Sequence, residues 1–449
     1  QLYADTHPGN DPASSGRQMN AHFATRLVDT DGEWLDHTAL YNSSADVSPT
    51  ASQMPRLVGL SYASRLYREL EELAALPSSA KFSKGGNEVA FGTIGNASAA
   101  EGMFFESVNA IGVNRSPAVI SVWDDGYGIS VPNSYQMTKG SVSAMLAGLQ
   151  RNKGETSTGY EVRSVPGWDY AALISVYREA AATARSEHVP ALIHVTEMTQ
   201  PQGHSTSGSH ERYKSAERLA FEKDFDPIVK MRAWMIERGI ATAEILDVVD
   251  AEEKQFVREE QRAAWGDYLG PIRTEMEQAV SAIETAGNAS GVDLRRIAGD
   301  LTKTQGAIYR RDIHLALSVA LRSLRNEELA VRQPLISIKS AIERENRVRF
   351  GDQLTSETSS AAQSVPAVAP FYPETPERLK GFEILNRCFD AALARDPRIV
   401  AFGEDVGQLG DVDQGFAGLQ TKHGPLRVSD TGIREATILG QAIGMSMRG

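Results

Sequence analysis

A strand, a helix and a second strand follow one another early in the chain, and this pattern limits the possible folds most strongly. An apolar run at 88–92 leads into the small turn Gly95-Asn96-Ala97-Ser98, and a helical pattern follows over 101–113. The next strand, 118–123, is apolar and ends at Asp124-Asp125. Two strands joined through a helix run parallel, because only a crossover connection returns the chain to the same edge of the sheet.

The same alternation continues after this unit. Residues 170–186 carry a helical pattern, and 190–196 is an apolar run typical of a buried strand. We therefore predict an α/β fold whose first domain is a doubly wound parallel sheet. Ligands of such sheets bind at the carboxyl ends of the strands. Polar residues follow three of the predicted strand ends, namely Asn96, Asp125 and His204.

Three further regions follow this first domain, which we place at 1–225. Residues 226–350 have a helical, strongly charged pattern that predicts a helical extension. Residues 351–373 are rich in Ser, Thr, Ala and Pro, which is typical of a flexible linker. Residues 374–449 carry a helix, a strand and another helix, the start of a second α/β domain. We expect an incomplete N-terminus and a truncated second domain, because the sequence lacks an initial Met and stops within a helical pattern.

Composition narrows the class of protein. The net charge of −12, the hydrophobic share of 41% and the absence of any long apolar run predict a soluble protein that binds neither membranes nor nucleic acid. The single cysteine, Cys388, excludes an internal disulfide and fits a reducing compartment. Its helix-like surroundings predict a packing role. We expect a cytoplasmic protein, and a targeting segment before Gln1 stays open.

Asn96 and Asp125 have the chemistry that a magnesium diphosphate requires. Magnesium takes hard oxygen ligands at octahedral geometry, and a turn of small residues lets the backbone approach phosphates. Parallel strands place both side chains at one edge of the sheet. Asp124 is a further acid beside this pair. The alternative interpretation is an α/β turn that binds no cofactor.

The spacing of these residues resembles a known motif. Asp125 lies twenty-nine residues after Asn96, as in the thiamine-diphosphate motif, Gly-Asp-Gly followed at a similar distance by Asn-Asn, although Asp and Asn are exchanged. Segments 16–22 and 48–63 resemble the α subunit of branched-chain 2-oxo acid dehydrogenases. Residues from Lys380 onward resemble the β subunit. The chain thus resembles the thiamine-diphosphate-dependent decarboxylating component of 2-oxo acid dehydrogenases, with both subunits fused.

This resemblance implies a transketolase-like fold and a set of cofactor ligands. Magnesium would be bound by Asn96 Oδ, Asp125 Oδ and the Tyr127 carbonyl, and the exchange of Asp and Asn leaves the charge of the ligands unchanged. Further cofactor-binding residues by the same resemblance are Gly95, Ala97 and Ile129.

Two residues carry the implied catalysis. His204 opens a loop that resembles the Gly-His-Ser loop of the family, whose histidine helps to hold the diphosphate and to transfer the acyl group. Glu435 is the predicted carboxylate for the ring nitrogen of the pyrimidine. Because Glu435 opens an apolar helix, we expect burial to favour its protonated form. Glu404 is the rival for this role, and helix or turn capping is the alternative for both.

A potassium site is also implied at Ser48, Ser52 and Gln53, where a helix-capping turn is the alternative. The insertion 24–47 has no assigned role.

The implied function is thiamine-diphosphate-dependent oxidative decarboxylation of a 2-oxo acid, with transfer of the acyl group to the lipoyl group of a partner acyltransferase. A branched-chain 2-oxo acid is favoured, while pyruvate, acetoin and 2-oxoglutarate relatives stay open. We expect a homodimer of fused chains with magnesium and, at the implied site, potassium. A hypothesis of another class is an inactive cofactor-binding or scaffolding protein, suggested by the altered motif.

Overall fold

The computed structural model describes residues 24–29, 31–39, 41–44, 47, 49–152, 159–204, 208–303, 308–351, 358, 359 and 361–449. The segment 16–22 and Ser48, both singled out above, lie outside these ranges. Among the described residues, no helix is both long enough and apolar enough to cross a membrane.

Four parallel strands form the sheet that positions the site. The strands of the described residues are β1 Ala90–Gly95, β2 Ala118–Trp123, β3 Tyr127–Gly128, β4 Val131–Pro132, β5 Glu161–Pro166, β6 Ala191–Thr196, β7 Ala401–Gly403 and β8 Val428–Asp430. The four-stranded sheet has the order β1-β2-β6-β5, so each connection crosses over, as an α/β fold requires. Of the other strands, β3 pairs antiparallel with β4, and β7 pairs parallel with β8.

Helices cover the sheet and form most of the remaining chain. They are α1 Gln53–Glu69, α2 Glu71–Ala74, α3 Gly102–Asn114, α4 Asn133–Gln136, α5 Val142–Met145, α6 Tyr170–Glu187, α7 Ala216–Asp224, α8 Pro227–Glu237, α9 Ala243–Ser290, α10 Arg295–Thr302, α11 Arg310–Ser323, α12 Leu329–Gly351, α13 Gly381–Arg395, α14 Leu419–His423 and α15 Glu435–Ser446. The predicted α/β architecture is confirmed.

The central strand β2 is buried from Ala118 to Val122, which explains its unbroken apolar sequence. By contrast, the edge strand β5 mixes polar and apolar residues and ends in Pro166. The sequence analysis did not identify β5, because this short mixed run lacks the apolar signal of a central strand.

Two compact units divide the chain. One contains 24–29, 33–243 and 369–449, and therefore both α/β segments. The other contains 244–368, where α9 to α12 bury a core of their own. The largest fully buried side chains of this core are Ile272, Ile283, Ile313, Leu317 and Leu324. The domain boundaries at 225, 350 and 373 stay predictions.

The helices α1 and α15 approach so closely that only glycine fits at their contact. A Cβ added at Gly59 would lie 2.7 Å from Met445 N, and one at Gly444 would lie 2.6 Å from Leu60 N. A Cβ at Gly440 would overlap Pro55. The second α/β segment is therefore held against the first by direct backbone packing.

Two arginines also join these segments. Arg448 donates to Leu60 O at 3.0 Å and Phe82 O at 3.1 Å. Arg427, which is 2% exposed, contacts Glu72 of α2 and also donates to Leu393 O at 2.8 Å. Both guanidinium groups donate to backbone carbonyls, so they hold the main chain of these segments as well as side chains.

The sequence predicted that Cys388 of α13 packs inside the protein. Cys388 is exposed, so the predicted packing role is wrong. The helix buries Leu393 but leaves most of its other side chains partly or fully accessible, and Cys388 lies on an accessible side.

The glycine contact between α1 and α15 predicts a specific loss of stability. Gly444→Ala should lower the free energy of unfolding by about 1–3 kcal/mol, since overpacking forces the helices apart. Urea denaturation followed by circular dichroism measures this change.

The matched control is Gly102→Ala on α3, where an added Cβ meets nothing within 4 Å. This control should leave stability unchanged or raise it by up to about 1 kcal/mol, because alanine favours helices more than glycine does. Equal behaviour of both variants would contradict the close contact.

Candidate functional site

The carboxyl ends of β1, β2 and β6 lie side by side and open into a cleft of about 670 Å³. In the register of the sheet, Gly95 pairs with Trp123, and Trp123 pairs with Val195. The residues directly after these strands therefore lie side by side at the same edge of the sheet. Seven of the eight predicted cofactor-binding residues line this cleft: Gly95, Asn96, Ala97, Asp125, Tyr127, Ile129 and His204.

Asn96 is 4% exposed, and its side-chain amide has a defined orientation. Its Nδ2 donates to Tyr127 O at 3.0 Å and to Asn133 Oδ1 at 2.6 Å. Both amide hydrogens are thereby used, so the side-chain oxygen is the atom that remains for a ligand of the cleft.

The hairpin β3–β4 approaches this turn closely. A Cβ added at Gly128 would lie 2.6 Å from Ala97 Cβ and 2.7 Å from Gln136 Nε2. Only glycine allows this approach, which brings the Tyr127 carbonyl to Asn96.

Asp124 does not line the cleft, although the sequence analysis placed it beside the ligand pair. It is 7% exposed and accepts hydrogen bonds from Gly126 N at 2.8 Å, Asn133 Nδ2 at 2.8 Å and His194 Nε2 at 2.8 Å. Burial alone would raise the pKa of Asp124, but these hydrogen bonds outweigh burial and lower its pKa. Asp124 is therefore a buried anion held by donors behind the cleft.

Asp125 is the acid of the pair that faces the cleft. Burial raises its pKa, while the hydrogen bond from Tyr127 N and the charges of Lys214 and Arg218 partly oppose this effect. The Tyr127 N to Asp125 Oδ1 distance is 3.1 Å. A cation placed beside a half-buried carboxylate stabilises its charged form.

A buried ion pair supports the floor of the cleft, and the sequence analysis missed it. Lys214 Nζ donates to both oxygens of Glu222, at 2.7 and 2.8 Å. Arg218 donates to Glu222 at 2.8 Å, to Asp125 O at 2.9 Å and to Met198 O at 2.8 Å. Arg218 thus joins the segment after β2 to the segment after β6. The spacing of Arg218 and Glu222, four residues apart on α7, was the available signal.

The electrostatics of the cleft are acidic. Glu101 and Asp125 lie on its wall, and within the described ranges no lysine or arginine lines it. Thr199 and Gln200 occupy the wall just before His204. Residues 205–207 of the predicted histidine loop lie outside the described ranges.

Glu435 is not brought to this cleft within one chain. It is exposed at the start of α15, so the expectation that burial protects its proton is wrong for the single chain. The reason is that α15 buries its opposite face, at Thr437, Gly440, Gln441 and Gly444. The rival Glu404 is also exposed and also lies outside the cleft lining.

The predicted potassium residues are placed only in part. Ser52 Oγ donates to Pro49 O at 2.7 Å, and Gln53 Nε2 donates to Thr93 O at 3.2 Å. Ser52 stands at the N-cap position of α1, although its side chain makes no hydrogen bond to the first turn of the helix. Potassium binding here stays a prediction.

The residues at the cleft fit a magnesium ion with a diphosphate. An amide oxygen, a carboxylate and a backbone carbonyl are hard donors of the kind that magnesium prefers. Asn96, Asp125 and Tyr127 provide them within one hydrogen-bonded group. Among the described residues, no group of three or more His, Cys, Asp or Glu forms another metal site.

Two family models match the chain. Residues 40–268, just over half of the chain, match the family model "Dehydrogenase E1 component", and residues 360–449 match "Transketolase, pyrimidine binding domain". Among solved structures, a transketolase from Leishmania mexicana aligns with a TM-score of 0.38 and 13% identity, over 90% of this chain and 46% of that one. That similarity is too low to add to the argument.

Curated relatives divide between the two parts of the chain. The 2-oxoisovalerate dehydrogenase subunit alpha of Bacillus subtilis (strain 168) is 26% identical over 249 residues, which cover 56% of this chain and 63% of the relative. The pyruvate dehydrogenase E1 component subunit beta of Acholeplasma laidlawii is 48% identical over 67 residues, 15% of this chain and 20% of the relative. The chain therefore spans less than two thirds of either relative. It belongs to the dehydrogenase E1 component family and joins segments similar to the α and β subunits in one polypeptide.

Proposed function

We propose that this chain binds thiamine diphosphate with magnesium and catalyses the oxidative decarboxylation of a 2-oxo acid. The observation that carries the proposal is the meeting of Asn96, Asp125, Tyr127 and His204 in one cleft at the carboxyl edge of a parallel sheet. The pyrimidine-binding match at 360–449 supports it, because that segment is where such a cofactor requires its second contact.

The charge of the cleft explains why the cation matters. A diphosphate is an anion, and the described wall presents Glu101 and Asp125 to it without a lysine or arginine. Charges of like sign within one cleft repel each other strongly when no cation lies between them. Magnesium held by Asn96, Asp125 and the Tyr127 carbonyl would offset the two carboxylate charges and supply the positive charge that a diphosphate needs.

Thiamine diphosphate, when bound, supplies a nucleophilic carbon and an electron sink for the loss of carbon dioxide. The chain contributes position and proton control. His204, on the wall of the cleft, would hold the diphosphate and would assist acyl transfer to a lipoyl group of a partner acyltransferase. Glu435 would be the carboxyl group placed at the pyrimidine nitrogen.

The position of Glu435 supports a homodimer of fused chains. The outward face of α15 carries Glu435 and Ala436 together with Leu439, which is 65% exposed, and Ile443, which is 46% exposed. An apolar helix face of this kind favours a protein contact. If a second copy of the chain packed on this face of α15, the cleft of that copy could lie beside Glu435, and the contact would bury the carboxylate.

The favoured substrate is a branched-chain 2-oxo acid, because relatives of the first segment include 2-oxoisovalerate dehydrogenase subunit alpha. Pyruvate is the second candidate, since a relative of the last segment is a pyruvate dehydrogenase subunit beta. A cytoplasmic location and a monovalent cation at Ser52 and Gln53 are further parts of the proposal.

Binding of thiamine diphosphate should require magnesium and Asp125. In isothermal titration, omission of magnesium or the change Asp125→Ala should weaken binding at least about tenfold, equivalent to about 1.4 kcal/mol. The control Glu187→Gln removes an exposed carboxylate on α6 and should bind like the wild type. Equal binding with and without magnesium would argue against the proposed ligands.

Glu435→Gln should separate catalysis from cofactor binding. We expect thiamine diphosphate to bind normally while decarboxylation falls about 10²- to 10⁴-fold, the range for loss of a positioned acid or base. Carbon dioxide release from 3-methyl-2-oxobutanoate and from pyruvate, with an artificial electron acceptor, measures the rate and ranks the substrates.

Glu404→Gln is the matched control and should retain the wild-type rate. A loss confined to Glu404→Gln would transfer the role to Glu404. A wild-type chain that binds the cofactor but decarboxylates none of the acids would favour the inactive binding protein instead.

The exposed face of α15 predicts an effect on assembly. Leu439→Arg should convert the dimer into a monomer in sedimentation velocity, because a charge would have to be buried in the apolar contact. Leu385→Arg on α13, where Leu385 is 52% exposed, is the control and should stay dimeric. A wild-type protein that sediments as a monomer would exclude this arrangement.

A further inference from the structure

A continuous set of hydrogen bonds runs behind the cleft from Ser143 to Asn96. Its members are Ser143, His194, Asp124, Asn133 and Asn96, which come from five separate parts of the chain. His194 is 2% exposed and Asp124 is 7% exposed, so bulk water does not satisfy these groups. Buried polar groups of this kind restrict one another's orientation.

The direction of each bond on the histidine side follows from a backbone donor. Ser143 N lies 3.4 Å from His194 Nδ1, and a backbone N–H can only donate. The hydroxyl of the same residue, Ser143 Oγ, lies 2.9 Å from His194 Nδ1 and can donate to it as well. His194 Nδ1 is therefore the acceptor, and Nε2 carries the hydrogen. Nε2 donates to Asp124 Oδ2 at 2.8 Å.

The direction on the asparagine side follows from Asp124. Its carboxylate accepts from Asn133 Nδ2, at 2.8 Å to Oδ1 and 3.1 Å to Oδ2. Asn133 must then present its oxygen on the other side, where Asn96 Nδ2 donates to it at 2.6 Å. An amide has one donating and one accepting end, so each orientation determines the next.

We propose that Asp124 is a positioning residue that, through Asn133, fixes the Asn96 amide with its oxygen available to the cation of the cleft. The inference rests on the proposed magnesium site. The Tyr127 carbonyl also accepts from Asn96, but it is itself a proposed ligand of the cation. Asn133 is thus the acceptor whose place does not depend on the cation, and Asp124 sets its orientation.

This assignment changes which acid compensates for Asn96. A carboxylate at position 96 would present oxygen in either orientation and would need a donor from Asn133 instead of an acceptor. Asparagine at position 124 allows that reversal, because Asn133 is then free to turn its NH₂ group towards position 96. The residue exchanged with Asn96 is therefore Asp124, and Asp125 is a ligand in its own right.

A double-mutant cycle tests the proposal with binding as the readout. The dissociation constant of Mn²⁺ is measured by electron paramagnetic resonance at saturating thiamine diphosphate for wild type, Asp124→Asn, Asn96→Asp and the double variant. Asp124→Asn in the wild-type background should weaken Mn²⁺ binding by about tenfold or more, the usual effect of losing a residue that orients a ligand. In the Asn96→Asp background, the same change should strengthen binding.

The reversal of sign is what a merely structural role would not produce. If Asp124 acts only through stability, Asp124→Asn weakens binding equally in both backgrounds, and the proposal is overturned. Asp169→Asn, which alters the helix-capping aspartate of α6, is the matched control and should leave the Mn²⁺ dissociation constant unchanged.

A second variant covers the case in which Asp124→Asn does not fold. Asp124→Asn combined with Asn133→Asp keeps one buried carboxylate and presents Asn96 with an acceptor in either orientation. Its Mn²⁺ dissociation constant should lie within about threefold of the wild-type value, a much smaller change than the loss of about tenfold or more expected when a ligand is no longer oriented. A loss of tenfold or more in a folded variant would contradict the proposal.

The two proposals fail in different ways. If the wild type binds neither Mn²⁺ nor thiamine diphosphate, both the proposed function and this inference are wrong. If the wild type binds both normally but the cycle is additive, only this inference is wrong.

Discussion

The parallel register of β1, β2 and β6 is the constraint on which the site depends. Gly95, Trp123 and Val195 stand level across the three strands, so the turns that follow them start from one line. Backbone bonds continue this line beyond the strands, from Asn96 N to Trp123 O at 3.1 Å and from Asp124 N to Val195 O at 2.9 Å. Side chains far apart in sequence reach the same cleft because the sheet aligns their backbones first.

Much of this arrangement is predictable from the sequence, and the limits have physical causes. Apolar runs that end in Asn96 and Asp125 indicate both the parallel sheet and the edge where polar groups gather. The pattern does not distinguish Asp124 from Asp125, however, because adjacent residues at a strand end turn to different sides only once the following turn is formed. Here Gly126, at a φ of 86°, forms that turn and directs its N–H to Asp124.

Other features depend on partners that no local pattern reveals. Asn133 opens a short helix and carries no motif, yet it connects Asp124 to Asn96. The exposure of Glu435 follows from which face of α15 packs on α1, and both faces of that helix are rich in small and apolar residues. Helical periodicity alone does not choose between two such faces.

The contact between α1 and α15 also has a consequence for the order of folding. Gly59 and Gly444 meet although 244–368, a compact unit by itself, lies between them in sequence. Contacts of such high sequence separation form late, because the loop entropy is lost before the contact is gained. During synthesis the glycine face of α1 therefore stays uncovered until the segment that carries α15 leaves the ribosome. The intervening helices can fold before that contact forms. Because the two α/β segments belong to one polypeptide, α15 is at a high local concentration near α1 as soon as α15 has been synthesised.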